Sequence, residues 1–325
     1  MTLTQVAIIT KRAILTFIIM IILGIASFIG YQIWYANYLA SLPPPEEKPD
    51  IKFGILPPPD FIPAKVSSSN FAYQVATETG GLPDFGKLTK VYFIPKATST
   101  FLAEDKAKAL AAKFNINTPP EASPEGQFKF SKESRTLQID LDTGNFTYFA
   151  GSTPSGKASG EEAELIANFR ELLTQIGIIK PELQDSPAKL VEGRIMIWPK
   201  DIDKKPIVTA RFKQSLVKGV ASQSANIANH YSSLDFTFWP VDETTFSTYP
   251  IKNGTLALED LKKGKGTVVI EPKTAQVSIT SVYIGYFESE TYSPYLQPVF
   301  VFEGPNFVSY VPAITDEYIN SATGN

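Results

Sequence analysis

Cysteine is absent from all 325 residues of the chain. Disulfides, thiolate metal sites, cysteine nucleophiles and lipid attachment through an N-terminal cysteine are therefore excluded together. Histidine is nearly as scarce: His230 is the only one, too few for a histidine-ligated zinc site. An excess of positive charge is missing as well. From Ala13 onward, 33 acidic residues stand against 28 basic ones without long blocks of either sign, so no nucleic-acid footprint is present. Nucleotide loops of the G-x-x-x-x-G-K or G-x-G-x-x-G type are also lacking.

What the chain does have is a long apolar run at its start. Ala13 to Tyr31 carry no charge, directly after Lys11 and Arg12, and the next charged residue is Glu46. A helix rises about 1.5 Å per residue, so roughly 20 apolar residues cross a hydrocarbon core about 30 Å thick. The expected span is residues 13–35. The basic N-terminus, residues 1–12, is expected in the cytoplasm, with Trp34 and Tyr35 at the outer interface and the bulk of the chain outside. A cleaved signal peptide is the rival reading. Its apolar core is usually about 7 to 15 residues and is followed by small residues at the cleavage site; this run is longer and its exit is aromatic.

Proline dominates the following stretch. LPPPEEKPDIKFGILPPPDFIP, Leu42 to Pro63, predicts an extended polyproline spacer within a linker of residues 36–65. A ligand for a proline-binding module is the sharper, less favoured alternative.

Beyond the linker, strand and helix signals alternate in what reads as two units, residues 66–157 and 158–325. In the first, Lys90 to Pro95 is a strand. A helix follows from Thr100, with Glu104 and Asp105 in its first turn and Ala103, Ala107, Leu110, Ala111 and Phe114 on one face. Strands at Gln127 to Phe130, Thr136 to Leu141 and Phe146 to Phe149 complete a meander. The second unit opens with a helix whose Ser159 and Glu162 fit a capping box. Its stripe of Leu165, Ile166, Phe169, Leu172, Leu173 and Ile176 stops at Gly177. Strand-like runs cover Lys189 to Trp198, Ile207 to Val217 and Leu234 to Val241. After a short helix from Leu256 to Lys263 come four more, at Thr267 to Ile270, Gln276 to Phe287, Leu296 to Glu303 and Phe307 to Ala313. The pattern predicts α+β: an N-terminal transmembrane helix followed by antiparallel sheets with helices packed on one face.

Within this pattern, LQIDLDTGNF (Leu137 to Phe146) resembles the strand and turn of PepSY modules. YPIKNGTLALEDLKKGKGTVV (Tyr249 to Val269), ITSVYIGYFESETYSPYLQPVFVFEG (Ile279 to Gly304) and FVSYVPAI (Phe307 to Ile314) resemble the C-terminal part of YycH/YycI-type extracytoplasmic proteins. The resemblance implies tandem PepSY-like or cystatin-like units on a single-span anchor, no catalytic residues, and binding of a protein at the envelope, such as a membrane sensor kinase under restraint.

Chemical motifs give weaker signals. Asp142-Thr143-Gly144 matches the DTG of aspartic proteases, in which two carboxylates share a proton. No second copy exists and Asn145 follows, so a turn that uses the backbone preferences of Asp and Gly is the plainer reading. Asp140 with Asp142, and Asp201 with Asp203, each supply two oxygens without a third metal ligand. Ser-x-x-Lys occurs at Ser186 to Lys189 and at Ser215 to Lys218, without the S-D-N and K-T-G elements of penicillin-binding enzymes. His230 lies in a polar stretch with no G-x-S-x-G elbow. The late aromatics alternate as strand residues do, but Tyr292 and Tyr295, in the connection SETYSPYLQP, are candidate partner-binding anchors.

The sequence thus predicts a membrane-anchored extracytoplasmic binding or regulatory protein. It is expected to contact the bilayer through residues 13–35 and an envelope or membrane protein, or an envelope polymer, through its outer part. No catalytic, metal or cofactor site and no nucleic-acid partner are expected. An envelope hydrolase with an unrecognised acidic or serine site, and a structural spacer subunit of a surface assembly, are the alternatives.

Overall fold

A computed structural model describes residues 3–41, 48–122, 126–151, 160–221 and 231–320. The chain divides into two compact units, Met1–Lys48 and Pro49–Asn325.

The first unit is one helix, α1, Leu3–Ser41. Its Ile14–Tyr38 segment has a mean hydropathy of 2.5 and is long and apolar enough to cross a membrane, a property it shares with signal sequences. All side chains in that segment are exposed. Such an all-round apolar surface suits lipid rather than water. The helix runs six residues beyond the expected span because nothing from Ala36 to Ser41 breaks it before the first proline at 43. Tyr31 stacks on Tyr35 at 5.9 Å and Trp34 on Tyr38 at 5.7 Å, as residues four apart on a helix do.

In the second unit an eight-stranded antiparallel sheet runs in the order Glu121–Ala122, Gln127–Lys132, Arg135–Asp140, Phe146–Phe149, Tyr231–Phe236, Val217–Ala221, Arg194–Ile197 and Ala188–Val191. Helices α2, Ala103–Lys113, and α3, Glu162–Gln175, join one core with its inward residues, among them Phe130, Leu137, Tyr148, Leu234 and Ile197. Each large apolar side chain so buried contributes about 1.5–3 kcal/mol. Gly219 has a packing reason: a Cβ there would lie 2.8 Å from both Leu234 and Phe169. The opposite face exposes Lys129, Gln138 and Thr147, the alternation expected of a half-solvated antiparallel sheet. Helix α3 ends as its sequence predicts, with Gly177 at φ +74°. Glu161 caps its start without a side-chain bond. Ser159 of the expected capping box lies outside the described residues.

The second sheet is centred on Tyr295–Gly304, which pairs with Ser281–Glu288 on one side. On its other side it meets first Leu88–Phe93 and then Phe307–Pro312. Asp242–Pro250, Thr267–Ile270 and the parallel strand Ile207–Thr209 extend it. Both faces are covered. Phe300, Phe302, Phe307 and Val311 share one core with Ala257 and Leu261 of a helix at Gly254–Lys262. Val299, Val301, Val308 and Tyr310 form the other, with Phe61 and Phe212 packed against it. The four-residue helix α4, Pro181–Gln184, precedes the edge of the first sheet, and Gly254–Lys262 is α5, capped by Asn253 accepting from the Leu256 N–H at 2.8 Å. Between them the sheets make the molecule α+β.

Three expectations meet a different arrangement. From Pro49 onward the proline-rich stretch packs on the fold: Leu56 is fully buried and bridged to Ile319, the Gln297 side chain donates to the Pro57 carbonyl at 2.8 Å, and the Phe61 ring meets Phe287 edge-on at 4.9 Å. Proline sets the backbone as extended, but the apolar residues between the prolines decide where it lies. The two units read at 66–157 and 158–325 interleave, because Phe146–Phe149 pairs with Tyr231–Phe236 and Leu88–Phe93 pairs with Asp242–Pro250. The run from Ile207 to Val217 is two strands, parted where the Thr209 hydroxyl folds the chain back by donating to the Arg211 and Gln214 carbonyls.

Candidate functional site

The DTG motif is a turn. Asp140 accepts from the Thr143 N–H and hydroxyl, both at 2.8 Å, Gly144 sits at φ +74°, and Asp142 accepts from the Ser99 N–H at 2.8 Å. Both carboxylates are thus engaged in shaping the loop. Among the described residues no group of three or more His, Cys, Asp or Glu is placed to hold a metal ion. Asp203 pairs with Lys205 at 2.8 Å. Ser186 and Ser215 are buried, donating to the carbonyls of Leu183 and Ile197, and neither is presented as a nucleophile. His230 lies outside the described residues.

Tyr292 and Tyr295 are partly buried in the protein's own packing. The Tyr292 hydroxyl donates to the Ile94 carbonyl at 3.0 Å and its ring meets Trp239 edge-on at 5.9 Å, while Tyr295 stacks on Phe53 at 5.0 Å. They fix the connection after the strand Ser281–Glu288. Lys11, Arg12, Trp34 and Tyr35 all lie on α1, with Trp34 and Tyr35 exposed.

The residue that sequence reasoning passed over is Glu288. Successive strand residues point to opposite faces, so Glu288 shares a face with Ile284 and Tyr286, both buried. It is 5% exposed. Among the described residues, none donates a hydrogen bond to its carboxyl group and no cation pairs with it. Burial alone pushes its pKa up to about 8, because the charged form is the one that loses hydration. At pH 7 the group is mostly a neutral acid. The following residues hold it there: Trp239 donates its indole N–H to the Ser289 carbonyl at 2.8 Å, and the Ser289 and Thr291 hydroxyls both donate to Asp60.

Glu288 forms part of the wall of a cavity of about 320 Å³ where the two sheets meet. The remaining wall is largely apolar, with Ile202, Ile207, Phe238, Trp239 and Leu296, and three charged side chains, Glu182, Lys200 and Glu243, lie in its exposed part. Size and lining fall at the small end of ligand cavities. The sequence held one signal for this: an acidic residue in register with the inward positions of an otherwise apolar strand. What closes the pocket, α4 and the Phe238–Val241 segment, comes from distant parts of the chain.

No protein-family model and no curated protein matches the chain. A solved structure of an uncharacterized protein from Eubacterium rectale is similar to it at 14% identity and a TM-score of 0.32, covering 71% of this chain and 84% of that one. A likeness at that level assigns neither a fold family nor a function.

Proposed function

We propose that this is a single-pass membrane protein, with its N-terminus in the cytoplasm, whose folded unit binds a ligand outside the cell and catalyses nothing. The observation that carries the binding reading is Glu288, an unpaired carboxyl group buried in an apolar cavity. Such a group costs stability unless something compensates it, and perturbed acids in clefts concentrate at functional sites. The anchor is supported by the length and hydropathy of Ile14–Tyr38, and its orientation by Lys11 and Arg12 preceding the apolar run. The YycH/YycI-like and PepSY-like stretches favour a regulatory role at the envelope, in which the ligand state of the folded unit is read by a membrane partner.

A chain without native cysteine suits a labelling test of this topology. Lys273→Cys should react with a membrane-impermeant maleimide in intact cells, and Thr2→Cys only after permeabilisation. The reverse pattern overturns the orientation, and a mature protein lacking residues 1–35 overturns the anchoring. Glu288 also favours a second reading, an acid-assisted hydrolase, since a carboxyl group kept protonated near pH 7 can serve as a general acid. That reading requires a hydrolytic activity abolished in Glu288→Gln.

A further inference from the structure

We infer that the Glu288 cavity takes a small organic ammonium ion, its charged head against the Glu288 carboxylate and its apolar stem along Ile207, Phe238 and Leu296. This rests on the binding reading above and names its ligand chemistry. The cavity lies at the meeting of the two sheets, and the Glu288 carboxyl group in its wall, on a residue 5% exposed, has no partner among the described residues. A buried carboxylate gains most from a charge-assisted hydrogen bond, roughly twice as strong as a neutral one. An ammonium head supplies both the charge and up to three donors. The exposed wall favours the same sign: Glu182 and Glu243 outnumber Lys200 there. Trp239 adds an aromatic wall of the kind that attracts cations. A neutral carbonyl ligand would use only the protonated acid and would gain nothing from the acidic rim.

The two chemistries differ in their proton balance. An entering ammonium ion needs the carboxylate, so Glu288 gives its proton to solvent as the cation binds. Since burial holds that proton up to about pH 8, the apparent affinity for a cation rises about tenfold per pH unit below 8 and levels off above it. Affinity for a neutral acceptor is instead flat below pH 8 and falls above. The charged groups lining the cavity besides Glu288 are Glu182, Lys200 and Glu243. Tyr92 and Tyr286, in the adjoining buried cluster, are both raised by burial, Tyr92 to about 12, and remain neutral throughout this range.

The test is calorimetric titration of the full-length protein in lipid nanodiscs with 2-phenylethylammonium chloride at pH 6, 7 and 8, and with 2-phenylethanol as the neutral counterpart. The expected result is affinity rising about tenfold from pH 6 to 7 with release of close to one proton, little binding of the alcohol, and loss of at least tenfold with no pH slope in Glu288→Gln. A thermal melt of that variant confirms that it is folded. Equal binding of amine and alcohol, or an amine affinity unaffected by Glu288→Gln, overturns the cation while leaving a binding cavity. Absence of binding by both compounds overturns the cavity as a ligand site and the binding reading with it.

Discussion

At the scale of single residues, Glu288 is a carboxyl group whose protonation is strongly perturbed by burial. Its folded pKa lies above the ordinary carboxylate value of 4.5, so the native state keeps a proton that the unfolded chain releases. Its contribution to stability is therefore fully present below the ordinary value and is lost as pH rises toward about 8. Between pH 5 and 7.5 the loss should be on the order of 3 kcal/mol. Glu288→Gln removes this slope, and denaturant unfolding of both proteins at the two pH values should show the variant gaining on the wild type as pH rises. Parallel pH profiles would mean that the carboxyl is compensated. Lys252 is the contrasting case: likewise buried, at 4% exposed, it is paired with Asp260 at 2.8 Å and Asp316 at 2.6 Å, and Lys265 bridges the same two carboxylates. These bonds hold the Asp316 carboxyl below its usual range. The buried lysine keeps its charge beside two carboxylates; the buried glutamate, without a cation, keeps its proton instead.

At the scale of elements, sequence pattern and structure agree wherever one period governs a whole segment. The stripe of α3 and the alternation of Arg135–Asp140 are of that kind; the helix expected from Leu256 to Lys263 is also present, though it starts two residues earlier, behind the Asn253 cap. Agreement fails where long-range contacts choose among local options. The continuous run from Gln276 to Phe287 is cut at Thr280, because its first part pairs in parallel with Ala72–Val75 and its second with Tyr295–Gly304. The strand Asp242–Pro250 escapes detection, since only Ser247 and Tyr249 within it are buried. The proline-rich segment is the sharpest case. Its prolines announce an extended backbone, whereas the contacts of Leu56 and Phe61 make it part of the core. Leu56→Ala should therefore cost about 2–5 kcal/mol, the range for truncating a buried leucine, measurable as a lowered denaturation midpoint. A true spacer would show almost no change.

For the molecule as a whole, the interleaving of the two sheets has a direct test. A fragment of residues 158–325 retains most strands by count, but Tyr231–Phe236 loses its neighbour Phe146–Phe149 and Asp242–Pro250 loses Leu88–Phe93. It should show no cooperative thermal transition by circular dichroism, whereas residues 49–325 should melt in one step; an independently folding fragment would restore tandem domains. The cavity is equally a product of the whole, since its lining runs from Ile94 to Leu296. No local window of sequence could display it, which is why the apolar N-terminal helix was legible in the sequence and the pocket was not.

The pairing of Leu88–Phe93 with Tyr295 and Leu296 also sets a timetable for biosynthesis. The earlier strand leaves the ribosome about 200 residues ahead of its partner, a delay of roughly 10–40 s at 5–20 residues per second. For that interval its buried residues Val91 and Tyr92 have no finished sheet to enter, so this edge of the core closes only once the last third of the chain has emerged.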